Sequence, residues 1–205
     1  MWSFKLWLNE DLGAVADKVF SQRDRNAKMN PSKILNALGI KSNNLEQINQ
    51  GSLATVYRHP LDKTKLIKVT SDLNDAKNIT KAQRLNSPNV VRLHQSVKIG
   101  PKAVALVVDF VPGKEMPYNT NALLSLINGD NWEDHRQAAR NILRPDRTRR
   151  KTLDALGLNN TEELQKLSRL FGSLAQLEKI GIDIFDFTDN ILDNGTDYVI
   201  VDLGM

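Results

Sequence analysis

The sequence predicts an α+β protein, and three observations predict it. Short apolar runs separated by glycine, proline and asparagine signals occupy residues 48–57, 65–69 and 103–111. A further pair of runs, Ile191-Leu192 and Tyr198-Val199-Ile200-Val201, flanks the turn signal Asp193-Asn194-Gly195 and reads as an antiparallel hairpin. Between them, residues 161–179 carry leucines at helical spacing.

Taken in chain order, residues 1 to about 45 read as helical. Leu6, Leu8, Leu12, Val15, Val19 and Phe20 suggest one amphipathic segment, and Asn30-Pro31 with Gly39 brackets a second, short helix around Ile34, Leu35 and Leu38. This preface is expected to pack on the strands that follow or to make a dimer contact. The run from Ile48 to Tyr57 is a strand-turn-strand around Gly51 and Ser52; a lone glycine there more often marks a bulge than a phosphate cradle. Lys65-Leu66-Ile67-Lys68-Val69 is an apolar strand in which Lys68 is the embedded lysine. A lysine in a strand is ordinarily a solvated edge charge. Asn78 to Leu93 follows, with Pro88-Asn89 and the branched pair Val90-Val91. Ala103 to Val108 is a buried central strand stopped by Pro112-Gly113. In the long helix, Leu164, Leu167, Leu170, Phe171, Leu174 and Leu177 form a core stripe, and Asn160 with Glu163 suggests a capping box. The closing hairpin brings Asn190, at the entrance of one strand, near Asp202, at the exit of the other.

Composition narrows the class. With 205 residues and 40% hydrophobic content the chain can bury a core, while 25% charged residues and the lack of an apolar run of the roughly 20 residues a bilayer requires argue against a membrane protein. The start, Met1 to Asp11, has too short an apolar run for a secretory leader. With no cysteine, disulfides, thiol catalysis and cysteine-ligated zinc are excluded, and the cytoplasm is the expected compartment. His59, His94 and His135 are scattered and form no ligand spacing.

Positive charge is concentrated in one stretch. Arg136, Arg140, Arg144, Arg147, Arg149, Arg150 and Lys151 face Asp146 alone, a local excess larger than the net +4 of the whole chain. A solvated helical face explains this most simply; an acidic or phosphorylated partner docking from Arg136 to Lys151 is the functional alternative. Aromatic residues are not interleaved there, which weighs against stacking on nucleic acid without excluding it.

Several of these runs carry the marks of one superfamily. Asn190-Ile191-Leu192 and Asp202-Leu203-Gly204, preceded by Gly181-Ile182, resemble the catalytic loop and metal-binding tripeptide of the protein-kinase-like superfamily. Ile184-Phe185-Asp186 stands in place of the usual histidine-arginine-aspartate triplet, and the interval from Asp186 to Asn190 is one residue shorter than usual. Upstream, the Gly51 turn, the Lys68 strand, the Asn78 to Leu93 stretch and the apolar run ending at Val108 resemble the remaining landmarks in order. The resemblance spans roughly residues 46 to 205.

It implies a two-lobed fold with an antiparallel N-lobe sheet. The expected domains are an N-terminal helical extension (1–45), an N-lobe with hinge (46–112), and a reduced, mostly helical C-lobe holding the basic insertion and the metal-binding hairpin (113–205). It further implies ATP and magnesium as cofactors. Lys68 would contact the α and β phosphates, Gly51 and Ser52 would approach the phosphates, and the main chain of Asp109 and Val111 would meet adenine beside Val108. Asn190 and Asp202 would hold the metal, and Asp186 would serve as the catalytic aspartate. Asn78 occupies the place of the glutamate that pairs with the strand lysine; Asp75, three residues earlier, is positioned to substitute. Met205 directly follows the tripeptide, so the resemblance is to a compact, divergent member lacking the later substrate-binding helices, to a shortened chain, or to one whose site another subunit completes. The implied activity is phosphate transfer to a protein serine or threonine. The alternatives are a pseudokinase acting as a binding or inhibitor module, and a small-molecule kinase, against which the basic insertion argues if the acceptor is cationic.

Overall fold

The computed structural model describes residues 30–51, 53–118, 132–143, 145, 147–184 and 190–203. The amphipathic segment expected between Leu6 and Phe20 lies outside the described residues. The chain divides into two compact units, Met1–Ala76 with Leu93–Phe110, and Lys77–Arg92 with Val111–Met205.

The first unit opens with helix α1 (Pro31–Ala37). Asn30 is extended, and its side-chain oxygen accepts from the Ser32 N–H at 2.9 Å, while Pro31 sits where a missing N–H leaves nothing unpaired. Gly39, at φ +69°, takes the left-handed conformation that ends the helix. The strands β1 (Gln47–Gln50), β2 (Ala54–Arg58), β3 (Lys65–Thr70), β4 (Leu93–Gly100) and β5 (Ala103–Asp109) form an antiparallel sheet in the order β1-β2-β3-β5-β4. The run from Ala103 to Val108 thus becomes a central strand, as its continuous apolar character predicts.

Strand alternation gives this sheet two distinct faces. Ile67 and Val69 of β3, with Tyr57, Ile99, Ala105 and Val107, pack against Ile34, Leu35 and Leu38 of the α1 segment. Lys68, between Ile67 and Val69, belongs to the opposite face. Of the two roles open to the helical preface, α1 takes the first and closes one side of the sheet. Helix α2 (Leu73–Ala82) follows β3; a 3-10 turn (Gln83–Leu85) extends it and ends at Asn86, whose φ is +47°. The first turn of α2 counts with the first unit and the remainder with the second.

The second unit contains α3 (Trp132–Leu143), α4 (Arg147–Ala155), α5 (Thr161–Lys179) and a small antiparallel sheet of β6 (Lys114–Glu115), β7 (Ile191–Asp193) and β8 (Tyr198–Ile200) in the order β6-β7-β8. All six apolar residues of the predicted α5 stripe are buried. Asn160 caps α5 by accepting from the Glu162 N–H at 2.9 Å. The reciprocal half of the expected capping box is absent, because the Glu163 carboxylate is taken by the hydroxyls of Tyr118 and Tyr198.

Strand β6 was not legible in the sequence. It forms because the chain at Gly113 passes so close to β7 that an added Cβ would lie 2.5 Å from the Asp193 carbonyl oxygen, so the Pro112-Gly113 breaker is also a contact site. The hairpin itself is tied to α5 through Asn89. The Asn89 amide donates to the Tyr198 carbonyl at 2.7 Å and accepts from the Ser173 hydroxyl at 3.1 Å, and its own carbonyl accepts from the Ile200 N–H at 2.8 Å. Among the described residues no helix is long and apolar enough to cross a membrane.

Candidate functional site

In the first unit the chemistry centres on Lys68. The register places it beside Val56 on β2 and Leu106 on β5, inside the sheet. It is 7% exposed, and its ammonium lies 2.9 Å from the carboxylate of Asp75, itself 2% exposed, in the first turn of α2. Two charges buried to this degree are tolerated because each neutralises the other. The other lysine of the strand, Lys65, is held outside at 2.8 Å by Asp62, whose carboxyl this ammonium and the Thr64 hydroxyl and N–H keep well below the ordinary carboxylate range. Burial therefore separates the two lysines as their sequence context suggests, and the pairing partner is Asp75.

The other first-unit residues singled out in the sequence are placed as follows. The Gly51 N–H donates to the Ala54 carbonyl at 2.8 Å and closes the β1-β2 turn, with a register irregularity between Gln47 and Asn49. Among the described residues a Cβ on Gly51 would meet only the Ala54 oxygen, at 3.7 Å, so their packing does not demand glycine there. Ser52 lies outside the described residues. Val108 is buried in β5, and Asp109 ends that strand with its carboxylate 2.5 Å from His94 Nε2. Val111 belongs to the second unit, and its backbone makes no hydrogen bond among the described residues.

The hairpin forms as the turn signal predicts. Ile191, Leu192 and Asp193 pair with Ile200, Val199 and Tyr198. In the loop, the Asn194 carboxamide accepts from the N–H groups of Thr196 and Asp197, and Gly195 sits at φ +91°. The Val201 N–H donates to the Asn190 carbonyl at 2.8 Å, which sets Asn190 opposite the residue preceding Asp202. Both side chains are half-buried. Asp186 lies outside the described residues.

An amide oxygen and a carboxylate at adjoining strand ends suit magnesium, a hard cation usually held by one or two carboxylates together with phosphate oxygens. Among the described residues there is no cluster of three or more histidine, aspartate and glutamate side chains that could cage a metal by itself. The tripeptide has a further contact: the Asn78 side-chain amide donates to the Leu203 carbonyl at 2.9 Å across 125 positions.

One polar cluster of the second unit was missed in the sequence. Lys166 on α5, 6% exposed, lies 3.1 Å from Asp193 and 3.8 Å from Glu163, with its ammonium 5.7 Å from the centre of the Tyr198 ring. The Glu163 carboxylate in turn accepts from both Tyr118 and Tyr198. Burial, reinforced by that carboxylate, pushes the Tyr118 phenol up to about 12 and raises Tyr198 further. A signal did exist: Lys166 stands four residues before Leu170, on the edge of the apolar stripe. Of the basic stretch, Arg136 and Arg140 on α3 and Arg147, Arg150 and Lys151 on α4 are exposed and form no ion pair among the described residues.

The described residues define an α+β protein whose elements run in the order glycine turn, lysine strand, acid-bearing helix, two further strands, long helix, and a hairpin bounded by asparagine and aspartate. No family model matches the chain, and none of the curated proteins does. Among solved structures, an aminoglycoside phosphotransferase from Streptomyces rimosus is similar over 84% of this chain and 75% of that one, with 16% identity and a TM-score of 0.36. A superposition this loose transfers no residue roles.

Proposed function

We propose that this protein is an ATP- and magnesium-dependent phosphotransferase acting on a protein serine or threonine hydroxyl. The observation that carries the reading is the buried Lys68–Asp75 pair. Replacing a buried ion pair with a packed apolar pair is often neutral or stabilising, so two charges buried together support a use for the ammonium.

In this reading Lys68 binds the α and β phosphates, with Gly51 and Ser52 giving them backbone access and the main chain of Asp109 and Val111 meeting adenine. Asn190 and Asp202 hold the magnesium, which neutralises charge on the phosphates when bound. Asp186 orients the acceptor hydroxyl and takes its proton as the oxygen attacks the γ phosphorus and the bond to the β-phosphate oxygen breaks, leaving ADP. Catalysis of this type rests on positioning and charge, so the altered triplet matters less than the retained groups. The exposed arginines of α3 and α4 would favour an acidic or already phosphorylated protein acceptor.

The test is incubation of purified protein with magnesium and γ-labelled ATP, with and without a cell extract, beside Asp186→Asn and Asp202→Ala. Transfer of label to itself or to an extract protein, lost in both variants, is the expected result. Full activity in Asp202→Ala would overturn the metal assignment. The presence of a single glycine in the β1-β2 turn favours a second reading, a nucleotide-binding pseudokinase; nucleotide binding without transfer to any acceptor would select it.

A further inference from the structure

We infer that Asn78 is a positioning residue for the metal-binding aspartate, and not a weakened stand-in for the glutamate that it replaces. The inference rests on the phosphotransferase reading for the role of Asp202, but the contact that carries it, Asn78 to Leu203, lies within the second unit.

Beyond Ile200 the chain leaves the β7-β8 ladder. The Val201 N–H still reaches the Asn190 carbonyl, but Asp202 and Leu203 carry no strand assignment. A backbone that leaves a ladder must satisfy its polar groups in another way. Leu203 anchors this segment, with its side chain fully buried. Its carbonyl accepts from the Asn78 amide at 2.9 Å. One peptide bond from Asp202, this hydrogen bond fixes the orientation of the segment that presents the carboxylate.

The chemistry of position 78 follows from what it contacts. A carbonyl oxygen needs a donor, and the carboxamide supplies one. A glutamate or aspartate ionised at this position would turn an acceptor and a negative charge toward the carbonyl, and would also leave it without its partner. Lysine pairing is meanwhile served by Asp75, one turn earlier on α2. The two tasks thus fall to two residues: a carboxylate for the ammonium and an amide for the tripeptide backbone. Residues that orient a metal ligand without touching the metal typically change metal affinity by about 10- to 100-fold when replaced.

The experiment measures metal directly. Manganese, as a paramagnetic substitute for magnesium, is titrated in the presence of a non-hydrolysable ATP analogue and followed by electron paramagnetic resonance, for the wild type, Asn78→Asp, Asn78→Ala and Asp202→Ala. Affinity for the analogue is measured separately in EDTA, and folding by thermal melting. The expected result is loss of the protein-dependent manganese site in Asp202→Ala, and a metal dissociation constant raised about tenfold or more in both Asn78 variants. Their metal-free analogue affinity should stay at the wild-type value. Asn78→Ala keeps the test open should Asn78→Asp fail to fold. Wild-type manganese affinity in a folded Asn78 variant, with Asp202→Ala still defective, would overturn the inference and leave the phosphotransferase reading standing. Absence of any protein-dependent manganese site in the wild type would instead bring down that reading, and the inference with it.

Discussion

Each unit buries a lysine among its described residues, and the two lysines are held in different ways. Lys68 of the sheet faces a carboxylate as deeply buried as itself, at 2.9 Å. Lys166 of α5 faces Asp193, Glu163 and the Tyr198 ring, and the two carboxylates keep about a quarter and a fifth of their side-chain surface in solvent. Lys166 can be understood within the fold alone: it joins the long helix to the hairpin turn, and water can take over its partners. Lys68 differs, because its surroundings make charge expensive and its partner has little access to water. The comparison teaches that burial of a lysine is not itself a functional sign; burial of its counter-ion as well is the stronger one.

The largest predicted effect breaks the first pair. Asp75→Ala removes the buried carboxylate 2.9 Å from the Lys68 ammonium and should lower stability by about 3–5 kcal/mol in urea denaturation. The double change Lys68→Met with Asp75→Leu should restore most of that stability, since a packed apolar pair often suits such a site as well, while on the proposed reading phosphate transfer is lost. Recovery of transfer in the double variant would show that Lys68 has no role in the reaction.

Lys166→Met sharpens the contrast. The carboxylates of Asp193 and Glu163 lose a charged partner but keep solvent, so the expected cost is about 1–3 kcal/mol, with the apparent KM for ATP unchanged. A cost equal to that of Asp75→Ala would mean that the difference in counter-ion burial carries no energetic weight.

A third test uses pH. Tyr118 is pushed up to about 12, first by burial and then by the Glu163 carboxylate. Its folded pKa lies above the ordinary value near 10, so its contribution to stability is complete below pH 10 and declines as pH rises through 10 to 12. Thermal melting of the second unit should fall over that window, and Tyr118→Phe should make the fall shallower, the remaining slope belonging to Tyr198.

How much of this was legible differed between the units for physical reasons. The β7-β8 hairpin, the α5 stripe, the Asn30 cap and the burial of Lys68 rather than Lys65 were readable, because each rests on turn chemistry or periodicity within a few residues. The Asp75 partnership was readable as an alternative, from helical spacing alone. Contacts across long separations were not. Asn78 and Leu203 are 125 positions apart, and sequence position suggested only that Asn78 is a poor glutamate. Glu163 shows the same limit in reverse: its spacing from Asn160 predicts a capping box, but two tyrosine hydroxyls claim the carboxylate. Strand β6 has no run of its own and depends on the approach of Gly113 to Asp193.

The smallest predicted effect compares two caps with the same chemistry. Asn30 and Asn160 each accept one N–H bond at 2.9 Å, the first at a helix of 7 residues and the second at one of 19. Replacing either with alanine removes the same bond, and the global cost should be about 1 kcal/mol in each case. The local response should differ. The short helix has few internal hydrogen bonds to spare, and Ile34 and Leu35 can leave the sheet once its first turn frays, whereas α5 is held along its length by seven buried apolar side chains. Amide hydrogen exchange should therefore accelerate across the whole of α1 in Asn30→Ala and only within the first turn of α5 in Asn160→Ala. Exchange confined to the first turn in both variants would show that α1 is held by the sheet as firmly as α5 is by its own core.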